Sequence, residues 1–146
     1  NTDYADIYGL EWQVQYRPSQ KFLMHANYSF VDLTQISLRR STPEIVIQDR
    51  SGLNPRHLGS VLVNYITDND LSLSAMVNYQ SKINKRNDED HASYTRLDLK
   101  AAKNWQVKNT QAQLSLTVQN LGDQYTERSF YNQFKTRVIL GMQLNF

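Results

Sequence analysis

The sequence contains no cysteine among its 146 residues. This absence excludes a disulfide-stabilised scaffold and any metal site built on thiolates. It is compatible with a bacterial outer membrane and equally with the cytosol, so cysteine usage alone does not assign a compartment.

Long apolar runs and a strong charge imbalance are also missing. No run of about 18 apolar residues occurs, which excludes a membrane-spanning helix. The 16 basic and 14 acidic side chains leave a net charge of +2, so no strong field points to a nucleic-acid partner. The chain begins at Asn1 without an initiator Met or a secretory signal, which predicts a piece of a larger protein.

The repeat that is present has a period of two, which is typical of β-strands. It is clearest near the C-terminus, where Ala112, Leu114, Leu116 and Val118 alternate with polar residues. No stretch has the apolar spacing of a helix over three turns. The pattern predicts an all-β chain with about seven strands, at 4–17, 21–32, 56–67, 71–80, 94–105, 111–119 and 136–146.

The predicted connections alternate between short turns and long polar loops. The turns follow Arg17, Thr67 and Trp105, with Pro18, Ser19 and Gln20 forming the first. The loops cover 33–55, 81–93 and 120–135, and the first of them is expected to be extended and irregular. An antiparallel up-and-down meander with all its short turns at one end is typical of transmembrane barrels, whose periplasmic turns are short. Soluble up-and-down barrels also alternate faces, but they place apolar residues inside.

A membrane barrel hides its lipid face by alternating it with a polar lumen, so a mean hydropathy of -0.62 does not argue against it. The nine Tyr, five Phe and two Trp residues suit the aromatic girdles of such a barrel. The alternation predicts that one set of side chains faces lipid: Leu10, Trp12, Val14, Met24, Ala26, Val61, Val63, Leu73, Ala75, Leu97, Leu99, Leu114, Leu116, Leu140 and Met142.

Several short stretches resemble a known family. The stretch VQNLGDQY at 118–125 is similar to the one that precedes the last extracellular loop of TonB-dependent receptors, although Gly122 replaces a bulkier residue that is more common there. The stretches GLEW at 9–12, YRP at 16–18 and YTRLDL at 94–99 resemble strand elements of the same family, in its order. Residues 120–123 also contain turn formers, which predicts that they end a strand locally.

The resemblance implies that residues 1–146 are the C-terminal portion of a large outer-membrane β-barrel. Such barrels have about 22 strands and a lumen plugged by an N-terminal domain. They import ligands of the ferric siderophore, haem or cobalamin class with energy delivered through TonB. The plug, the earlier strands and the TonB-contacting segment are therefore expected partners outside this chain. Outer-membrane lipid, lipopolysaccharide and the barrel assembly machinery are further expected partners.

Two sets of candidate functional residues follow from this reading. Arg39, Arg40 and Arg50 lie in the first long loop, where they are expected to meet an anionic ligand or the phosphates of lipopolysaccharide. Met142, Leu144 and Phe146 form an apolar, aromatic-ended C-terminus that resembles the signal read by the barrel assembly machinery.

No enzyme, cofactor or metal site is predicted. His25, His57 and His91 are not locally paired with a Ser and an acid, and each is expected to be structural: a polar lumen residue, a strand-entry residue and a loop residue. Asp88, Glu89 and Asp90 beside Lys85 and Arg86 are expected to form a solvated surface. The alternatives left open are a small eight-stranded barrel with a structural or adhesive role and a passive porin.

Overall fold

The computed structural model describes residues 4–41, 44–49, 52, 54–83, 91–108, 110–126 and 133–145. These residues form β-strands and their connections. The strands are β1 Tyr4–Ser19, β2 Phe22–Ser41, β3 Glu44–Asp49, β4 His57–Ile66, β5 Leu71–Gln80, β6 Tyr94–Val107, β7 Thr110–Gln119, β8 Tyr125–Thr126, β9 Gln133–Phe134 and β10 Arg137–Asn145.

Seven strands form one antiparallel meander in the order β1-β2-β4-β5-β6-β7-β10. The prediction of a seven-stranded up-and-down sheet is confirmed. β3 pairs with the far end of β2, while β8 and β9 form a separate two-stranded ribbon. Among the described residues β1 and β10 do not pair with each other, so the sheet is open at both edges.

The strand register keeps apolar side chains in line from one strand to the next. One such row crosses five strands and consists of Val63, Ala75, Leu99, Val118 and Val138. The next row along β5 and β6 contains Ser74 and Lys100, on the opposite face of the sheet. Because side chains alternate along each strand, the sheet has an apolar face and a polar face. All the side chains predicted to face lipid share the apolar face.

The apolar face is exposed rather than packed into a core. Leu10, Trp12, Leu116 and Leu140 are each between 46% and 72% exposed. Within the described residues only Ala26, Ala102 and Tyr125 are buried apolar side chains. Such an extensive uncovered apolar surface is not stable in water, but it is the surface that a lipid bilayer covers. No helix in the described part is long and apolar enough to cross a membrane.

The first turn differs from its prediction, because Pro18 and Ser19 belong to β1 and the turn is made by Gln20 and Lys21. The β1–β2 register shifts between Tyr16 and Ser19. Proline has no N–H for the ladder, so it is tolerated in a strand at such an irregularity. Pro18 therefore marks a bulge before the turn.

The prediction of an extended loop over 33–55 is wrong for residues 33–41 and 44–49, while residues 42, 43, 50, 51 and 53 lie outside the described residues. β2 continues to Ser41, and β3 pairs with it from Ile36↔Asp49 to Ser41↔Glu44. The patch Ile45–Ile47 consists of three β-branched residues, which favour a strand, and β2 offers the free edge that β3 needs. The segment is therefore a β-hairpin that extends the sheet beyond the end of β4.

The two turns at residues 20–21 and 67–70 are linked by an ion pair between Lys21 and Asp68. The hydrogen bond from Lys21 Nζ lowers the pKa of the Asp68 carboxyl and raises the pKa of Lys21. Both side chains are largely exposed, so the pair orients the turns and contributes little to stability.

The two faces predict opposite tolerance to charge in the membrane-embedded protein. Leu116→Arg should reduce the free energy of unfolding in lipid vesicles by about 2–4 kcal/mol near the bilayer midplane. Ser115→Arg should be close to neutral, because Ser115 lies on the polar face between the small residues Ala102 and Gly141. Denaturant unfolding of both variants checks this, and equal losses would contradict the assignment of the faces.

Candidate functional site

The polar face carries amides and hydroxyls that bond across the strands. Asn27 Nδ2 donates to Ser60 Oγ over 2.8 Å, from β2 to β4. Asn64 Oδ1 accepts from Ser72 Oγ at 2.9 Å and Ser74 Oγ at 2.8 Å, from β5 to β4. These contacts order a hydrophilic surface without adding charge to it.

A patch of carboxamides covers the polar face at the short-turn end of β6, β7 and β10. Its residues line a shallow depression of about 410 Å³ and are in register across the three strands: Asn104, Gln106, Gln111, Gln113, Gln143 and Asn145. Gln113 Nε2 donates to Asn104 Oδ1 at 2.8 Å. The patch offers neutral donors and acceptors to whatever lies above it, and Asp70 adds one carboxylate to the lining of the depression.

At the other end of β6, Arg96 and Asp98 form a bidentate ion pair. Arg96 Nε and Nη2 donate to the two carboxylate oxygens of Asp98 at 2.8 and 2.7 Å. Their side chains are only 27% and 17% exposed. Two residues apart on one strand, they share the polar face. Parallel N–H···O bonds of this kind fix geometry as well as charge.

Asp98 also holds the end of β7 through Asn120. The backbone N–H of Asn120 donates to Asp98 Oδ1 at 2.8 Å. Asn120 is buried and adopts a φ of 54°, a left-handed conformation that asparagine tolerates better than most residues. The side-chain Nδ2 of Asn120 donates to the backbone carbonyl of Phe134 at 3.0 Å. The backbone carbonyl of Asn120 accepts from Thr136 Oγ1 at 2.8 Å. Asn120 therefore ends β7 and joins it to the ribbon and to the start of β10.

An aromatic stack completes this group of residues. The Tyr125 ring lies between those of Tyr94 and Phe134, with centroid distances of 4.1 and 5.2 Å. Tyr125 is buried, and Arg96 Nη1 donates to its hydroxyl at 3.5 Å. We call the following residues the rim cluster, because they lie where β6 and β7 meet the long connections: Tyr94, Arg96, Asp98, Asn120, Tyr125 and Phe134.

The sequence analysis did not predict that the residues of the rim cluster contact one another. The expectation that residues 120–123 end a strand is correct, but the residue that turns first is Asn120, with Gly122 following at a φ of 156°. Asn120 contacts Asp98. A sequence feature that could have indicated this part of the cluster is the pair Arg96 and Asp98, which are opposite charges on one face of a strand.

The arginines predicted to contact a ligand are not brought together by the described structure. Arg39 and Arg40 occupy successive positions of β2, opposite Val46 and Ile45 of β3, in a hairpin rather than the predicted loop. Arg50 lies outside the described residues. Their contact with a ligand stays a prediction.

The predicted assembly residues Met142 and Leu144 lie on the apolar face of β10, 71% and 44% exposed. Phe146 lies outside the described residues. Exposure of both side chains at the edge strand leaves them accessible to another protein.

The three histidines occupy three different environments. His25 lies on the polar face of β2, opposite Gln15 and Leu62. His57 begins β4, and its Nδ1 lies 2.7 Å from the hydroxyl of Tyr28. His91 is buried and bridges to Ile83. The described residues contain no group of three or more metal-ligating side chains; Asp88, Glu89 and Asp90 lie outside them.

A family model described as TonB dependent receptor-like, beta-barrel, matches residues 1–121. The chain belongs to this receptor family. Comparison with curated proteins and with solved structures finds no match.

Members of the TonB-dependent receptor family are active transporters of the bacterial outer membrane, and the family is not one of enzymes. Membership accounts for the two faces of the sheet, with the apolar face toward lipid and the polar face toward the lumen. The rim cluster then lies at the end of the long, extracellular connections, and the carboxamide patch lies at the periplasmic end.

Replacements of Asn120 separate its two roles at the end of β7. Asn120→Gly keeps the left-handed φ but loses the side-chain bond to Phe134. Asn120→Ala also places a Cβ in that conformation, at a further cost of about 1 kcal/mol.

Hydrogen exchange at the amide of Leu121, which donates to Leu97 O at 2.7 Å, reports this difference directly. Exchange should be faster in Asn120→Ala than in Asn120→Gly, and faster in both than in the original chain. Equal protection in the two variants would show that the backbone conformation of Asn120 is unimportant.

Proposed function

We propose that this chain is the C-terminal portion of the barrel wall of a receptor that binds a scarce ligand and imports it across the outer membrane. The energy comes from TonB. The observation that carries this proposal is the two-faced, seven-stranded meander in a chain that belongs to the TonB-dependent receptor family. The polar face is the part of the lumen wall past which the ligand moves.

The proposal requires strands and a plug domain beyond the chain. In a bilayer the open backbone edges of β1 and β10 need partners, since each unpaired polar group in lipid costs several kcal/mol. Strands supplied by the rest of the receptor would satisfy these edges and close the barrel. TonB would act on the plug side of the receptor and not on residues 1–146.

The class of transported ligand follows from charge at the extracellular end. Arg39 and Arg40 lie in the β2–β3 hairpin, past the last β4 partner of β2 at Phe30. With Arg50, and against the carboxylates of Glu44 and Asp49, they leave residues 33–55 with a net charge of +1. This weak positive field would raise the local concentration of an anionic ligand. Ferric siderophores are often anionic, so we propose this ligand class ahead of haem and cobalamin.

Replacing Arg39, Arg40 and Arg50 together with Gln tests this assignment. Ligand affinity should fall, and it should fall more at low salt than at high salt because salt screens the field. Arg17→Gln is the matched control, because Arg17 lies near the short turn at the opposite end of β1 and should leave affinity unchanged. Unchanged affinity in the triple variant would leave the arginines as contacts of lipopolysaccharide phosphate or as solvated residues.

A passive porin would also have a polar lumen, and energy coupling separates the two functions. Uptake of radiolabelled ferric siderophore by cells that express the full receptor should stop when TonB is deleted. Uptake that continues unchanged without TonB would favour passive diffusion and contradict active transport.

Met142, Leu144 and Phe146 are proposed as the signal for the barrel assembly machinery. Deletion of Phe146 should lower the amount of receptor in the outer membrane more than it lowers the stability of folded receptor, because only one side chain is lost. Quantifying outer-membrane protein beside denaturant unfolding tests this. Normal outer-membrane levels would remove Phe146 from the signal.

A further inference from the structure

One charged residue lies within the apolar face. Lys103 on β6 is the single charged side chain on the apolar face of the described strands between two cross-strand rows. One row contains Phe30 and His57, and the other contains Trp105 and Ala112. Lys103 stands opposite Leu71 on β5 and Leu114 on β7. Its side chain is half-buried, and no described residue forms an ion pair with its ammonium.

A furrow on the same face runs beside Lys103. It has a volume of about 440 Å³ and is lined by Val63, Tyr65, Leu73, Ser74, Ala75, Leu99, Lys100, Ala101, Leu116 and Val118. Ser74 and Lys100 border it from strand positions whose side chains belong to the polar face. The small residues Ala75 and Ala101 are diagonal neighbours on β5 and β6, and they lower its floor. Ala101 precedes Lys103 by one position on this face, so the last furrow row, which contains Leu73, Ala101 and Leu116, is adjacent to the row of Lys103.

Lys103 lies at the depth where a membrane changes from hydrocarbon to headgroups. The next residue on its face is Trp105, which is 44% exposed, and β6 ends two residues later at Val107. Tryptophan gathers at this interface, and a lysine near it extends its ammonium toward the headgroups. The short turns place this interface on the periplasmic side.

We propose that the furrow and Lys103 together bind one anionic glycerophospholipid of the periplasmic leaflet. An acyl chain lies in the furrow over Ala75 and Ala101, and the phosphate accepts hydrogen bonds from the Lys103 ammonium. The anionic headgroup follows from charge complementarity, since no carboxylate in the described part of the chain pairs with Lys103 and a phosphate supplies a negative charge. The site rests on the receptor's position in the membrane and not on its transported ligand.

Lys100 provides a matched control, because it is on the same strand but on the polar face, between Ser74 and Thr117. The full receptor is purified in detergent and titrated with phosphatidylglycerol or phosphatidylcholine, and bound lipids are counted by native mass spectrometry. The original receptor should retain one more phosphatidylglycerol than Lys103→Gln, whose affinity for that lipid should be about fivefold weaker. Lys103→Arg should restore binding, and Lys100→Gln should leave it unchanged.

Ala101→Phe tests the furrow separately, because it fills the floor while Lys103 stays in place. Binding of phosphatidylglycerol should weaken in this variant as well. Equal lipid retention in Lys103→Gln and Lys100→Gln, or equal binding of phosphatidylcholine and phosphatidylglycerol, would overturn the headgroup assignment. An unchanged Ala101→Phe variant would overturn the acyl-chain assignment. Lipid retention does not require transport, so this experiment still tests the lipid site if the proposed uptake function fails.

Discussion

Continuous backbone pairing across seven strands is the constraint on which the other features of this structure depend. A strand in lipid has no water to satisfy its N–H and C=O groups, so each strand must pair along its length with its neighbours. Antiparallel pairing in constant register then sorts every second side chain to the same face. A slip by one residue between β6 and β7 would move Leu116 to the lumen and Ser115 to the lipid. The two faces of the sheet therefore follow from register.

The long connections must be held in place by other contacts, because the backbone hydrogen bonds between neighbouring strands stop where these connections begin. At the end of β7 the rim cluster supplies it. The Asp98 carboxylate is shared by Arg96 on its own strand and by the backbone of Asn120, 22 residues later. Tyr125 then packs over this pair and brings the ribbon back toward the sheet. The charged pair and the aromatic stack thus link the connection after β7 to the strands of the sheet.

Period-two alternation was sufficient to predict the seven strands and their faces, because burial against lipid acts on every second residue. It was insufficient where local context competes. Pro18 looked like a turn but lies in a bulge, since a strand tolerates a missing N–H there. The hairpin that contains Arg39 was predicted to be a loop, because most of its residues are polar and the apolar patch of β3 is only three residues long. The contact of Asn120 with Asp98 could not be predicted from spacing, because it depends on the β6–β7 register.

The central claim is that Leu114 and Leu116 contact lipid while Ser115 and Thr117 line an aqueous lumen. The chain has no cysteine, so a single cysteine at each of these four positions, in a full receptor with any cysteines outside this chain replaced, can carry a nitroxide spin label in lipid vesicles. Electron paramagnetic resonance then compares relaxation by oxygen, which concentrates in lipid, with relaxation by a water-soluble nickel chelate. The account predicts high oxygen accessibility at 114 and 116 and high nickel accessibility at 115 and 117. Low accessibility to both reagents at 114 and 116 would place them in a protein core and contradict it.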